Sequence, residues 1–95
     1  MIQNAYSIKD AKANVFSAPF FSINDKTAQR SFEQAKNDSN TTISQNPEDY
    51  SLYRLAQFDD QSGELHPEKQ PYYLSTAAAP AVKEEIPTFE QYIES

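Results

Sequence analysis

The chain has 95 residues and no cysteine, which limits it to one domain with a small core and excludes disulfides, thiolate metal sites and thiol nucleophiles. Eight Lys and Arg face 14 Asp and Glu, a formal net charge of −6, so a polyanion is repelled unless the cations are segregated on one face. Six Tyr and six Phe supply large rings for a short chain to bury, while no apolar run approaches the roughly 20 residues of a membrane span.

In chain order, residues 5–9 alternate as a half-buried strand, with Tyr6 and Ile8 on one face. Residues 10–14 carry turn chemistry. Residues 15–23 form a second β-rich run containing Phe16, Phe20 and Phe21, and Pro19 inside it predicts an edge strand or a bulge. Asn24 or Asp25 is placed to cap a helix by accepting an orphan N–H, and with Asn24 as the cap Ile23 and Ala28 take the hydrophobic-staple positions. Ala28, Phe32 and Ala35 recur at helical spacing as the buried stripe, Lys36 suits the negative end of the dipole, and Asn37 is the expected left-handed stop.

After a polar loop that closes on Asn46 and Pro47, residues 50–58 read as the best strand of the chain. Leu52, Ala56 and Phe58 alternate to one face and Tyr53 and Leu55 to the other, which predicts a central strand or one whose second face meets another subunit. Residues 59–63 form a hairpin loop with the single glycine, Gly63, where positive φ is expected, and residues 64–66 begin the return strand. The order β-β-α-β-β predicts an α+β fold, a small antiparallel sheet with one helix packed on it.

A boundary is expected near His66. Four of the six prolines (Pro67, Pro71, Pro80 and Pro87) lie beyond it, so residues 1–66 read as a compact domain and residues 67–95 as a flexible, extended, acidic Pro-rich tail. Six bases and nine acids precede residue 67, and two bases and five acids follow, so less than a third of the chain holds half of the net charge. Within the tail, Tyr72, Tyr73 and Leu74 form one sticky point and the segment EEIPTFEQYIES another. Thr88 and Gln91 have capping-box spacing, and Ile86, Phe89 and Ile93 share a face if a helix forms against a partner. Phe89, Tyr92 and Ile93 are the candidate contacts for a protein partner. The alternative roles for the tail are a solubilising terminus and an acidic mimic of DNA that folds back on a basic patch.

Nothing in the pattern supports catalysis. Asp59, Asp60 and Glu64 fit a turn better than a carboxylate cluster, His66 has no positioned partner, and one glycine cannot build a phosphate-cradling loop. No metal or cofactor is expected, and no membrane contact. The basic and aromatic residues of the first half carry the sharper reading: Lys9 and Lys12 flank a hairpin turn, Lys26 and Arg30 stand one turn apart on the helix, and Arg54 lies on the strong strand. Single-stranded nucleic acid is bound by stacking on rings beside a cationic groove. Lys9, Lys12, Lys26, Arg30 and Arg54 are therefore the candidates for phosphates, and Tyr6 and Tyr53 for stacking. The blander reading puts the rings in the core and pairs the cations with Asp10, Asp25 and Glu33.

An ordered set of residues then becomes specific. Tyr6-Ser7-Ile8 with Asp10 and Lys12 is followed by Pro19-Phe20-Phe21, Asn24-Asp25, Ala28, Arg30, Phe32 and Asn37-Asp38. The set closes on Pro47-Glu48-Asp49-Tyr50, Leu52-Tyr53-Arg54, Phe58-Asp59-Asp60 and Gly63. Across residues 5–66 this resembles the small non-structural proteins of gokushoviruses, single-stranded DNA phages of the microvirus family. The resemblance implies a protein made in the bacterial cytoplasm and absent from the capsid, a DNA-binding factor in the switch from genome replication to single-strand production and packaging. It ties no particular residue to that role. The expected function is a non-enzymatic single-stranded DNA binder, homodimeric or larger through its sheet. The alternatives are an adaptor for a phage or host replication protein and a transient assembly factor for coat protein.

Overall fold

Strand β1, Ile2–Asp10, runs antiparallel to every strand it meets. A computed structural model describes residues 1–78, in which β1 is followed by β2 (Val15–Phe16) and β3 (Phe20–Ser22). Helix α1 (Asp25–Asn37), the short helix α2 (Thr42–Gln45) and a 3₁₀ turn lead to β4 (Tyr50–Asp59) and β5 (Leu65–Thr76). The sheet order is β2-β1-β4-β5, with β3 also pairing β1, so the α+β architecture with one principal helix is as expected. The expectation that β4 is central also holds.

Local chemistry sets most boundaries. Asp10 Oδ1 accepts from the N–H groups of Lys12 and Ala13, and Asn14 closes the turn at φ 57, a left-handed conformation that Asn tolerates better than most residues. Pro19 falls in the gap between β2 and β3, where no ladder donor is needed. Asn24 caps α1, its side chain accepting from Thr27 N–H at 2.8 Å. Gly63 has φ +78 in the β4–β5 loop.

Three details of the sequence reading are corrected. The helix does not stop on a left-handed Asn37: Asp38 follows it in extended conformation at φ −89 and donates its N–H to the Ala35 carbonyl. The Ile23 side chain is exposed and seats no staple. The sheet also continues past residue 66, because β5 runs to Thr76 through Pro67 and Pro71. Both prolines are tolerated because β5 is an edge strand and its register is broken there. Residues 68–71 stand opposite Leu55 alone, between the pairs Arg54↔Tyr72 and Ala56↔Pro67. The reading of an acidic segment with contacts at Phe89, Tyr92 and Ile93 lies outside the described residues.

The core lies between α1 and one face of the sheet. Ala28 and Phe32 from the helix meet Tyr6, Leu52 and Ala77, with Ile8, Phe20, Ile43, Tyr50 and Leu74 around them. Burying Phe32 or Leu52 contributes about 1.5–3 kcal/mol each. At the helix N-terminus a polar network crosses every layer. Tyr6 donates its hydroxyl to Asp25 Oδ1 at 2.7 Å and accepts from Asn4 Nδ2 at 2.9 Å. Arg54 donates from Nη1 to Asp25 Oδ2 at 2.6 Å and from Nε to Glu68 Oε2 at 2.9 Å, with its guanidinium carbon 4.4 Å from the centre of the Tyr72 ring. Burial and the hydrogen bond to the Asp25 carboxylate push the Tyr6 phenol up from 10.0 to about 12.

Two outcomes follow from these contacts. Asn24→Ala should lower stability by about 1 kcal/mol in urea unfolding, the usual cost of a lost cap. Because the folded state raises the Tyr6 pKa, the stabilisation it brings is whole below pH 10 and is lost as pH rises through about 12. The stability gap between the wild type and Tyr6→Phe, measured by urea unfolding, should therefore be constant to pH 10 and shrink above it.

Candidate nucleic-acid interface

Strand alternation sorts the sheet's side chains into two layers. Tyr6, Ile8, Leu52 and Arg54 turn toward α1. The opposite layer, on the side without the helix, is built from cross-strand neighbours: Lys9 with Phe16, Ser7 with Tyr53, and Tyr53 with Tyr73. The Phe16 and Tyr53 rings meet edge to face at 5.4 Å, and Tyr53 meets Tyr73 in the same way at 5.7 Å. Strands β2, β4 and β5 thus contribute one continuous row of rings. The Lys9 ammonium stands 5.6 Å from the centre of Phe16, at one end of the row.

A second ring pair occupies the far end of the same layer. Phe21 and Phe58 lie 5.4 Å apart, and Leu65 pairs with Phe58 across the ladder. Small Ala5 and Ala56 sit in register between the strands that carry them. Several of these side chains are open to solvent: Phe16 is 37% exposed, Phe21 50%, Tyr73 52% and the aliphatic Leu65 58%, while Tyr53 and Phe58 are half-buried. On the other side of the sheet, toward the helices, a groove of about 260 Å³ is lined by Ile8, Val15, Ile43 and Tyr50 together with Phe16.

The candidate residues named from sequence are divided by the fold. Tyr6 is wholly buried, with its hydroxyl committed to Asp25, so no base can stack on it; this corrects the expectation. Its position between helix and sheet is what a large core ring requires. Arg54 is likewise consumed. Burial works against its charge, but the bonds to Glu68 and Asp25 prevail and raise its pKa, so the guanidinium stays charged and paired, not free for a phosphate. Lys26 and Arg30 are exposed, but they project from α1, on the side of the sheet away from the rings. Tyr53 lies at the centre of the ring row, and Lys9 and Lys12 are at its β1–β2 end. Among the described residues, Lys9, Lys12, Lys26 and Arg30 enter no ion pair.

Phe16 and Tyr73 were not selected from sequence as stacking residues. Phe16 was visible as a ring within the second β run, but which of two apolar faces receives the helix is a tertiary choice. Tyr73 stood in the segment expected to leave the fold, and the adjacent Tyr72-Tyr73-Leu74 was its only signal.

The remaining polar clusters are structural. Asp59 Oδ1 accepts from Gln61 and Ser62 N–H groups, and the first of these bonds chiefly holds its carboxyl below the ordinary range. Asp60 pairs with the chain's terminal ammonium at 2.7 Å. His66 meets Glu64 at 3.4 Å in an exposed contact. Among the described residues no group of three or more His, Asp or Glu is placed to hold a metal ion, and no helix is long and apolar enough to cross a membrane.

No curated protein and no solved structure matches the chain. A family model described as Phage ORF5 protein matches residues 3–79, from the start of β1 to just beyond the last described residue. The match spans the sheet, the helix and β5 together, and on that extent the chain belongs to the phage ORF5 protein family.

Proposed function

We propose that this phage protein is a non-enzymatic binder of single-stranded DNA, and that the open ring face of the sheet is its binding surface. The observation that carries the reading is the row Phe16–Tyr53–Tyr73, exposed at both ends and half-buried at Tyr53, with Lys9 beside it. Unpaired bases stack on rings whatever their sequence, at about 1–3 kcal/mol each, and open sheets bearing aromatics are a recurrent platform for such strands. A duplex offers only its stack ends and its phosphates, so a row of rings with few cations favours single strands. Lys9 and Lys12 are the phosphate partners, while Lys26, Arg30 and Arg54 take no part. The resemblance to the gokushovirus proteins supports a role for this activity in the bacterial cytoplasm, in the switch from genome copying to single-strand production and packaging.

A second reading is favoured by the other half of the face. Phe21, Phe58 and Leu65 are apolar and carry no cation among their cross-strand partners, which suits a protein partner: a second copy of this chain, a replication protein or coat protein. The net charge of −6 favours this reading as well.

Fluorescence anisotropy with labelled single- and double-stranded oligonucleotides separates the two. With two phosphate contacts, affinity for single strands should fall by about sevenfold between 50 and 200 mM salt, from a slope of roughly −0.7 per contact. Phe16→Ala and Tyr73→Ala should each weaken binding by about 1–3 kcal/mol, and Lys26→Ala with Arg30→Ala should change nothing. Absence of oligonucleotide binding at low salt, alongside concentration-dependent self-association lost in Phe21→Ser, would favour the protein-contact reading.

A further inference from the structure

We infer that the helix-free face packs on the same face of a second copy of this chain, and that this pairing and single-strand binding exclude each other; the exclusion rests on the single-strand reading above. The first observation is the charge of the face. Ionisable groups occupy Lys9, Asp10, Arg54, Asp59 and His66 among the regularly paired positions of the sheet. Asp10 lines the groove on the helix side, and Arg54 reaches α1. Asp59 and His66 follow Phe58 and Leu65 directly, so strand alternation turns them away from the face. Lys9 alone remains. In a chain of net charge −6, a face with no carboxylate at a paired position is where two copies approach without repulsion. Its hydroxyls are also engaged, Tyr73 with Thr76 at 2.7 Å and Thr76 with Ser51 at 2.9 Å, so burying them costs less than burying free ones.

The second observation is size. Strand β4 runs for 10 residues in a sheet of order β2-β1-β4-β5. Strand rise and spacing give that face a footprint of about 600 Å². Two such faces bury about 1,200 Å², above the ~1,000 Å² of a stable specific contact, whereas either half of the face alone falls short. The edges of the sheet are poor alternatives. β5 has no N–H at Pro67 or Pro71, and Pro19 splits the opposite edge into strands of 2 and 3 residues.

Charge then sets the orientation. Lys9 lies at one end of the face, and Gln3, which pairs with Phe58, stands about 20 Å further along β1. A two-fold axis running across the strands lays the row Phe16–Tyr53–Tyr73 over the partner's Phe58 and the partner's Leu65. It also keeps the two Lys9 ammonium groups about 20 Å apart, beyond the ~8 Å reach of a screened charge. An axis along the strands would instead set lysine over lysine across the ~10 Å between packed sheets. The rings proposed for bases are the rings this contact covers, so only the monomer presents them.

Sedimentation equilibrium of the full chain should show monomer and dimer in exchange. Phe21→Ser and Leu65→Ser, at half-exposed positions outside the stacking row, should each raise the dimer Kd about tenfold. A monomer at every concentration, or a dimer indifferent to both changes, overturns the pairing. The absence of native cysteine allows a spin label on Lys12→Cys, beside the face, to be mixed with unmodified isotope-labelled chain. NMR resonances of Phe58 and Leu65 in the isotope-labelled copy should broaden. Broadening at Lys9 and Phe16 instead overturns the orientation, and broadening confined to Lys26 and Arg30, or none, overturns the face. A short single-stranded oligonucleotide should convert the dimer into monomer–DNA complexes, and a dimer that sediments with DNA bound overturns the exclusion. A dimer with the expected broadening but no oligonucleotide binding leaves the pairing standing and removes the nucleic-acid reading instead.

Discussion

Arg54 is where the layers of this small protein meet. Its guanidinium bridges Asp25 at the start of α1 and Glu68 on β5, and it lies over the Tyr72 ring, while Asp25 in turn takes the buried hydroxyl of Tyr6 on β1. Four elements are therefore fixed by one connected set of charge-assisted bonds. Such bonds are strong when only partly solvated, and a charge left alone at that depth costs more than the pair contributes. The set holds α1 against one face of the sheet. A single helix of 13 residues covers one face only, so the other face stays open.

The division of labour among the aromatics follows from that constraint. Tyr6 and Phe20, 5.8 Å apart and stacked, are enclosed with the helix, whereas Phe16, Tyr53 and Tyr73 line the open side. A chain with few aliphatic residues thus uses rings both to fold and to present a surface. The cations divide in the same way. Arg54 is used internally, Lys26 and Arg30 go with the helix layer, and Lys9 and Lys12 remain near the open rings. A net negative protein can still offer a locally cationic, aromatic strip, because screening at physiological salt confines each surface charge to about 8 Å.

Much of the fold was legible because its signals are local. The Asn24 cap, the Ala28 and Phe32 stripe, the Gly63 turn and the break at Pro19 each depend on neighbours within a few residues. The later part of β5 was not legible. Pro67 and Pro71 argue against a strand by local rule, and only the free edge and the slip opposite Leu55 make room for them. The candidate site was half legible. The apolar residues on both faces of β4 put Tyr53 on one of two ring-bearing layers, but strand periodicity gives two faces without saying which one the helix takes, so Tyr6 lies in the core and Phe16 on the open side. Arg54 looked like a phosphate ligand for a related reason: its partners, Asp25 and Glu68, are 29 and 14 residues away in sequence.

The proposed function requires the helix-free face to be the surface that meets single-stranded DNA. The most direct measurement is an NMR titration of the isotope-labelled full chain with a short single-stranded oligonucleotide, followed residue by residue. Shifts concentrated at Lys9, Phe16, Tyr53 and Tyr73, with Lys26, Arg30 and Arg54 unmoved, are what the account predicts. Shifts centred on α1, or a spectrum indifferent to saturating oligonucleotide, would contradict it.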